Sequence, residues 1–417
     1  MTIPYHLNPF GIETSWGDPV LVLRKDIGTT FTASITTNFP ASGPAKGKIE
    51  WPDSTINKIS ADGNFLKALD AAAEGDISIF GGMERLQVGI AFIGTITGGN
   101  TYRLTNMYGT FLGCANLTGS LPNFDTSNVT NMANTFNGCR NLTGSIPNFD
   151  TSKGIDMYGT FLGCGNLTGP IPNFDTSKVT SMASMFSYCY NLTGSIPNFD
   201  TSNVTNMYYT FRYCNNLTGS LPNFDTGKVT SMINTFYNCA NLTGSIPNFN
   251  TGNVTNMYCT FSDCHNLTGS IPNIDTGNVT YMAYTFNNCY NLTGSIPNFD
   301  TGKVISMGST FSSCSNLTGS ISNFNTSNVT SMSQTFYNCS NLTGVPNNWL
   351  NVNYPNGVAK PNSVFDSTFN GCMRLTGNAQ DIFGSSRNLQ LDPGTRLYTF
   401  SGCTNLSDYS LIHANWK

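Results

Sequence analysis

The sequence contains few charged residues and no strong excess of either sign. Asp, Glu, Lys and Arg together make up 10% of the 417 residues, and the formal net charge is -4. No cluster of Lys and Arg stands out, so the electrostatic footprint of a nucleic-acid-binding protein is missing. Asn, Thr, Ser and Gly dominate instead, a polarity without charge that is common on extracellular and virion surfaces. We therefore expect no nucleic-acid partner.

Long apolar stretches are absent as well. No run approaches the ~18 apolar residues that a membrane-spanning helix needs, so we expect no membrane insertion. The opening residues, MTIPYHLNPFGIETSWGD, have neither the basic segment nor the apolar core of a secretory signal peptide. Two expectations follow: a virion protein made in a cytoplasm and released by lysis, or a mature extracellular or cell-surface protein whose leader was replaced by Met1.

What the sequence has in abundance is a 25-residue repeat. Residues 112–132 read LGCANLTGSLPNFDTSNVTNM, and similar segments follow at steps of 25 residues. Stacked repeats would hold neighbouring thiols about 5 Å apart with parallel Cβ vectors, which does not suit a disulfide. We predict reduced, buried thiols that fill one slot of a core. Ten of the 13 cysteines occupy this slot: Cys114, Cys139, Cys164, Cys189, Cys214, Cys239, Cys264, Cys289, Cys314 and Cys339.

One repeat, residues 129–153, illustrates the expected local structure. The spacing of its first apolar residues predicts a short helix or 3-10 turn from Val129 to about Cys139. The following LTGSIPNF segment predicts a short strand, because Pro147 cannot donate to a ladder. No repeat can form a core alone, so neighbours must cover each other's apolar faces in a solenoid. The predicted core residues are Val129, Met132, Phe136, Cys139, Leu142, Ile146 and Phe149.

The chain divides into three predicted regions. Residues 1–98 lie outside the period and alternate apolar with polar residues, which predicts a small antiparallel, β-sandwich-like domain that attaches the chain and caps the first repeat. Residues 99–345 form the regular solenoid. Residues 346–417 form irregular capping repeats, in which the TFxxC pattern returns at Cys372 and Cys403.

The pattern NLTGSIPNFDTSNVTNMxxTFxxC resembles the repeat of the BspA-like leucine-rich repeat surface proteins, closely over 104–345 and loosely over 346–410. The resemblance implies a leucine-rich-repeat-type solenoid with a short parallel strand and a short helix or 3-10 turn per repeat, and adhesion rather than catalysis. The LTGSIP segment is also similar to the LTGxIP of plant-type leucine-rich repeats. Which segment forms the main sheet is left open, because GSIP replaces the family's unbroken alternating strand.

Tyrosines dominate the variable positions that follow Met and flank Cys, where side chains should face solvent. Thirteen of the chain's 18 tyrosines lie in this segment. A tyrosine ring with its hydroxyl suits stacking on a sugar or on a partner protein. The alternative is that the rings only pack over neighbouring repeats. The candidate binding residues are Tyr188, Tyr190, Tyr208, Tyr209, Tyr213, Tyr237, Tyr258, Tyr281, Tyr284 and Tyr290.

Two polar columns also recur at the 25-residue step. We expect each Asp of one column to cap the segment that follows it, with a row of calcium ligands as the alternative. This column includes Asp150, Asp175, Asp200 and Asp225. We interpret the recurring NLT as an Asn ladder that bonds the backbone of neighbouring repeats, rather than as a glycosylation site. Neither column supplies a unique carboxylate pair, so we expect no enzyme activity, no catalytic residue and no cofactor.

These features predict a non-enzymatic recognition or adhesion protein. We expect a virion fibre or decoration protein, or a bacterial cell-surface adhesin, that binds a host-surface glycan or protein. The N-terminal domain would join it to a larger assembly. The alternative is a structural protein that self-assembles into a fibre or sheath through its solenoid faces, and a homo-oligomer is compatible with both hypotheses.

Overall fold

The computed structural model describes eight N-terminal strands by their backbone, together with residues 101, 104–321, 324–345, 365–383 and 398–417. The eight strands pair in antiparallel fashion, in the orders β8-β1-β6-β3-β4 and β5-β2-β7. They are β1 (Leu21–Lys25), β2 (Phe31–Asn38), β3 (Gly47–Glu50), β4 (Ile56–Ile59), β5 (Gly63–Leu69), β6 (Gly75–Gly81), β7 (Arg85–Val88) and β8 (Gly94–Gly98). Their role as a separate attachment domain stays a prediction.

The last N-terminal strand, β8, also pairs with the first repeat. It runs parallel to β9 (Leu117–Ser120), with Gly94 opposite Leu117 and Thr95 opposite Thr118. Ile96 is buried and joins the core of the repeats. The stack of parallel strands therefore begins inside the predicted N-terminal region, a few residues before residue 99.

The LTGS segment of the repeats forms a column of short parallel strands, which answers the question of the main sheet. In this column Leu142 lies opposite Gly119, and Gly194 lies opposite Leu217. Isolated bridges, such as the one between Ser220 and Thr243, continue the column between the named strands. Beyond β9 these strands are β10 (Leu142–Thr143), β11 (Gly169–Pro170), β12 (Leu192–Ser195), β13 (Leu217–Thr218), β14 (Gly269–Ser270), β15 (Leu292–Ser295) and β16 (Leu317–Thr318). The chain is a repeat solenoid.

Each repeat has consecutive β-turns in place of the predicted helix. The N–H groups of Met132, Asn134 and Phe136 donate to carbonyls of the next repeat at 2.7–2.9 Å. Within the same repeat, the N–H groups of Thr135 and Asn137 donate to carbonyls three residues back, and that of Ala133 donates to the side chain of Asn131. Asn134 also has a φ of 56°, in the left-handed region that interrupts a right-handed helix. The 3, 4, 3 spacing that predicted a helix is produced here by alternation between bonds within a repeat and bonds between repeats.

The predicted core residues are buried in every described repeat. Phe136 and its equivalents form a continuous stack of nearly parallel rings, with centroids 5.4–5.7 Å apart from Phe111 to Phe400. Val129, Met132 and Leu142 are at most 1% exposed. Because each ring packs against the rings of two neighbouring repeats, burial depends on stacking, as expected of a solenoid.

The cysteine slot is buried and reduced, as predicted. All 13 cysteines are buried as reduced thiols. The thiol of Cys139 donates to the carbonyl of Phe111 at 3.0 Å, and the contact recurs in successive repeats, so these thiols are polar links between repeats as well as core packing. Burial raises the pKa of the thiols, to about 12 for Cys239.

A column of buried threonines was missed by the sequence analysis. The hydroxyl of Thr135 lies 2.6 Å from the carbonyl oxygen of Met132 and 2.9 Å from that of Met107 in the preceding repeat. A second threonine, Thr126, donates to the carbonyl of Asp150 in the following repeat at 2.7 Å. Threonine is polar and was not among the predicted core residues, but here its hydroxyl satisfies carbonyls that stacking has removed from water.

The columns continue through the described part of the C-terminal region. Cys372 donates to the carbonyl of Phe336 at 3.1 Å, and Cys403 donates to that of Phe369 at 3.0 Å. The final residues close the stack, because the N–H of Phe400 donates to the carbonyl of Trp416, whose side chain is fully buried. Among the described residues of this region, helical segments include α1 (Ala379–Phe383) and the 3-10 helices Tyr409–Leu411 and Ala414–Trp416.

We expect Gly219→Ala to lower the free energy of unfolding by about 1–2 kcal/mol, because Gly219 has a φ of 76°, which costs an L-residue about that much. An added Cβ would also lie 3.2 Å from the Cβ of Ser195 in the neighbouring strand. Urea denaturation followed by circular dichroism measures the change. Ser220→Ala, at an exposed neighbouring position, is the matched control and should change stability by less than about 0.5 kcal/mol. Equal effects of the two substitutions would contradict the expectation.

We also expect the native protein to give no rapid reaction with Ellman's reagent at pH 8, because its thiols are buried and their pKa values are raised by desolvation. All 13 thiols should react after unfolding in guanidinium without reductant. Fast modification of the folded protein, or fewer free thiols after unfolding, would show that the slot is open or oxidised.

Candidate functional site

The variable positions between Met and Cys form one face of the solenoid, and a dense cluster of aromatic side chains lies on it. Its centre is Arg212, whose guanidinium carbon lies 4.8 Å from the ring centroid of Tyr188 and 4.9 Å from that of Tyr213. The rings of Tyr209 and Tyr237 lie 5.1 and 5.7 Å from the same atom. We call this group the tyrosine–arginine cluster: Arg212, Tyr158, Tyr188, Tyr190, Tyr208, Tyr209, Tyr213 and Tyr237.

The rings of the cluster also contact one another, both across repeats and within one repeat. Tyr188 and Tyr213 stack with centroids 5.0 Å apart, whereas Tyr208 and Tyr209 meet edge to face at 5.1 Å. Tyr190 packs against Tyr188 and Tyr213 and is 43% exposed. Tyr190 is therefore the exposed ring of the cluster, and the other six tyrosines are partly buried.

Burial and hydrogen bonds raise the pKa values of three phenols of the cluster. Burial, as the larger cause, and a hydrogen bond with Tyr158, as the smaller one, raise the pKa of Tyr208 to about 12. A hydrogen bond with Tyr213 and then burial raise the pKa of Tyr237. Burial also raises the pKa of Tyr190. At neutral pH these hydroxyls remain protonated and can both donate and accept hydrogen bonds.

Four tyrosines of this face have left-handed backbone conformations. The φ angles of Tyr188, Tyr209, Tyr213 and Tyr284 lie between 60° and 62°. Equivalent positions in other repeats hold residues that adopt this conformation more easily, including Gly138, Asn238 and Asn288. A bulky side chain at such a φ is uncommon and costs about 1–3 kcal/mol.

The ten predicted binding tyrosines thus fall into two groups. Six of them belong to the cluster: Tyr188, Tyr190, Tyr208, Tyr209, Tyr213 and Tyr237. The other four lie outside it. Tyr258 meets Tyr284 edge to face at 5.8 Å, Tyr290 stacks on His265 at 5.0 Å, and Tyr281 occupies a bridge position between Asn256 and Ser306.

Arg212 was not identified from the sequence, although a signal was present. In the ten regular segments that run from Met to Cys, it is the one Lys or Arg, and Asp263 is the one acidic residue. Its central position depends on side chains from four consecutive repeats, which the 25-residue period alone does not single out.

The aspartate column caps local backbone, as expected. The Oδ1 atom of Asp175 accepts hydrogen bonds from the N–H and the hydroxyl of Ser177 at 3.0 and 2.7 Å. These two bonds, with a smaller contribution from Lys178, lower the pKa of Asp175. Asp150, Asp200 and Asp225 each accept the N–H two residues ahead in the same way.

Metal coordination gains no geometric support within the ranges that the structure describes. No group of three or more His, Cys, Asp or Glu side chains there could hold a metal ion. In these ranges the calcium alternative therefore has at most one carboxylate per repeat and no converging set of ligands. His265 and Cys264 do not converge on a joint metal site either. His265 stacks on Tyr290, whereas the Cys264 thiol donates to the buried carbonyl of Phe236.

In three of the ten NLT motifs the asparagine links neighbouring repeats, as the ladder interpretation predicted. The side-chain amides of Asn191, Asn291 and Asn341 donate to carbonyls of the preceding repeat at 2.9–3.0 Å. Each of these amides therefore has a structural partner at its position in the stack.

We expect Ser177→Ala to raise the pKa of Asp175 towards its ordinary value, because the side-chain bond is the largest cause of its depression. Carboxyl chemical shifts recorded as a function of pH measure this. A depressed pKa stabilises the folded state above the unfolded pKa, and that stabilisation is lost as the pH falls through the folded value. The decrease in the free energy of unfolding on acidification should thus be smaller in the variant than in wild type. An unchanged pKa for Asp175 would contradict the assignment.

Comparison with known proteins adds a family but no activity. In the part of the chain that the structure describes, no helix has the length and apolar character to cross a membrane. Searches of curated proteins and of solved structures gave no significant match. The model of one family, described as "Mycoplasma protein of unknown function, DUF285", matches residues 81–191, 105–223, 155–273 and 255–372. Because these overlapping matches cover more than half of the chain, it belongs to the DUF285 family.

Proposed function

We propose that this chain is a non-enzymatic recognition protein that binds a glycan or a protein on another surface. The observation that carries the proposal is the tyrosine–arginine cluster, an aromatic patch assembled from four consecutive repeats. The rest of the solenoid acts as a scaffold that holds these side chains at fixed spacing.

The backbone conformation of the tyrosines supports a role in binding. Tyr188, Tyr209 and Tyr213 occupy left-handed positions at which glycine or asparagine would be less strained. Packing alone does not require tyrosine there, because repeats with Gly138 or Asn238 at the equivalent position stack in the same way. Tyrosine is strained at these positions, whereas glycine or asparagine would fold with less strain. This favours selection of tyrosine for an interaction outside the fold.

The chemistry of the patch supports a glycan or a protein surface as ligand. Tyrosine combines a flat apolar face with a hydroxyl, and it enriches interfaces for that reason. Exposed tyrosines extend the face beyond the cluster, and they include Tyr258, Tyr284 and Tyr290. A long solenoid face with repeated rings suits an extended ligand such as an oligosaccharide.

The proposed setting is a surface appendage. A virion fibre or decoration protein and a bacterial cell-surface adhesin both need a rigid element that presents a binding face away from its point of attachment. Attachment is proposed for the N-terminal region, because β8 pairs with both β1 and the first repeat.

Self-assembly through the same face is the second candidate function. The exposed aromatic side chains of Tyr258, Tyr281, Tyr284 and Tyr290 lie next to the cluster in the following repeats. Exposed apolar patches on soluble proteins often mark interfaces, so copies of the chain meeting through this face would explain the same residues.

We expect the double substitution Tyr188→Asn and Tyr213→Asn to abolish ligand binding while leaving stability unchanged or raised. Asparagine tolerates the left-handed conformation and occupies the equivalent position as Asn238 and Asn288. Screening wild type and variant on a glycan array and on host cells measures binding, and thermal unfolding measures stability.

The matched control is Tyr337→Asn, which removes a tyrosine from the same segment four repeats away from Tyr237. It should retain binding. Light scattering as a function of concentration tests the second candidate function. If wild type assembles and the double variant does not, self-association through this face is favoured. Wild-type-like binding by a folded double variant would refute recognition through the cluster.

A further inference from the structure

Arg212 has donors that the protein does not use. Its Nη1 donates to the hydroxyl of Tyr188, while Nε is buried and has no hydrogen-bond partner in the part of the chain that the structure describes. A guanidinium presents five N–H donors in a planar fork, and most of them remain unmatched by these contacts. The side chain is half-buried, so part of the group remains open to solvent.

The positive charge of Arg212 is also not balanced by the cluster. The side chains of the cluster that contact the guanidinium are tyrosines, and none of them supplies a carboxylate. Asp263, the one acidic residue in the same segments of the regular repeats, is already bonded to the amide of Asn288 at 2.6 Å and to the hydroxyl of Ser262 at 3.2 Å. The patch therefore has a cation whose ring neighbours attract it weakly and leave its charge in place.

An arginine with unused donors beside tyrosine rings suits a ligand that carries an anionic group on a sugar ring. A carboxylate forms strong, charge-assisted hydrogen bonds with guanidinium, often through both oxygens. The exposed ring of Tyr190 packs against Tyr213, whose ring centroid lies 4.9 Å from the guanidinium carbon, so Tyr190 could pack against the apolar face of a sugar held at Arg212. A neutral sugar would use the rings alone and would leave the arginine donors unmatched.

We propose that the tyrosine–arginine cluster binds an acidic sugar, with Arg212 contacting the carboxylate and the tyrosines packing against the sugar ring. This inference rests on the proposed recognition function and names its ligand class. Sialic acids and uronic acids share the required chemistry, so the experiment includes one of each.

The test measures binding of the full chain to 3′-sialyllactose, to tri-galacturonic acid and to lactose by isothermal titration calorimetry at low and high salt. We expect at least one acidic probe to bind about 10- to 100-fold more tightly than lactose, the range that a charged hydrogen bond supplies. Added salt should weaken that binding, because the attraction between exposed charges is screened. Preference for one acidic probe identifies the source of the carboxylate.

Three variants separate the contribution of the guanidinium. Arg212→Gln should reduce binding of the acidic probe to the level of lactose, and Arg212→Lys should retain part of the preference, because it keeps the charge and loses the fork. Arg140→Gln removes an exposed cation outside the cluster and should bind like wild type. Thermal unfolding checks that each variant is folded, and Arg212→Lys provides the comparison if Arg212→Gln unfolds.

The results distinguish failure of the acidic-sugar inference from failure of the proposed recognition function on which it rests. If lactose and the acidic probes bind equally, if folded Arg212→Gln keeps the preference, or if Arg212→Lys keeps it in full, the acidic-sugar assignment is wrong while recognition through the tyrosines stands. If the wild-type chain binds none of the three sugars but does bind host cells through the tyrosines, the ligand is not of this class. If the variant with Tyr188→Asn and Tyr213→Asn keeps both cell binding and sugar binding, both proposals are wrong.

Discussion

Backbone hydrogen bonds between neighbouring repeats are the constraint on which the rest of this structure depends. Alternate N–H groups of the Met-to-Cys segment leave their own repeat and donate to the next one, so each repeat is complete only beside its neighbour. The core columns follow from that pairing. Phenylalanine rings, thiols and threonine hydroxyls recur at the same height in each repeat because the backbone sets the spacing, and substitutions at these positions therefore affect two neighbours at once.

The same alternation determines which side chains can carry function. Left-handed positions recur two and six residues after Met in each regular repeat, as at Asn134 and Gly138. Side chains at these positions do not join the buried phenylalanine column, so their identity is free to vary. The contact between repeats is also insensitive to the length of the outer chain. Cys372 bonds to Phe336 across 36 residues much as Cys339 bonds to Phe311 across 28.

Much of the repeat could be predicted because its period is strict. The buried slots of Val129, Met132 and Phe136, and the reduced thiols, follow from apolar spacing and from the distance between stacked repeats. The β-turns could not be predicted, because spacing of 3 and 4 residues has the same pattern in a helix. The inward threonines were missed since their burial depends on which carbonyls the stack removes from water, a property of two repeats rather than of one.

The candidate site shows the limit of a periodic argument most clearly. Tyrosines were identified as a surface class, but period and composition gave no reason to separate Tyr213 from Tyr281, which lie in different surroundings. What separates them is departure from the repeat: a lone arginine among neutral positions, and bulky rings at left-handed positions that hold glycine or asparagine elsewhere. Such departures cost conformational energy, and a scaffold of cooperative repeats can absorb that cost locally without losing its stack. In a solenoid, a binding site is therefore best sought where the sequence breaks its own local rule while the backbone keeps its period.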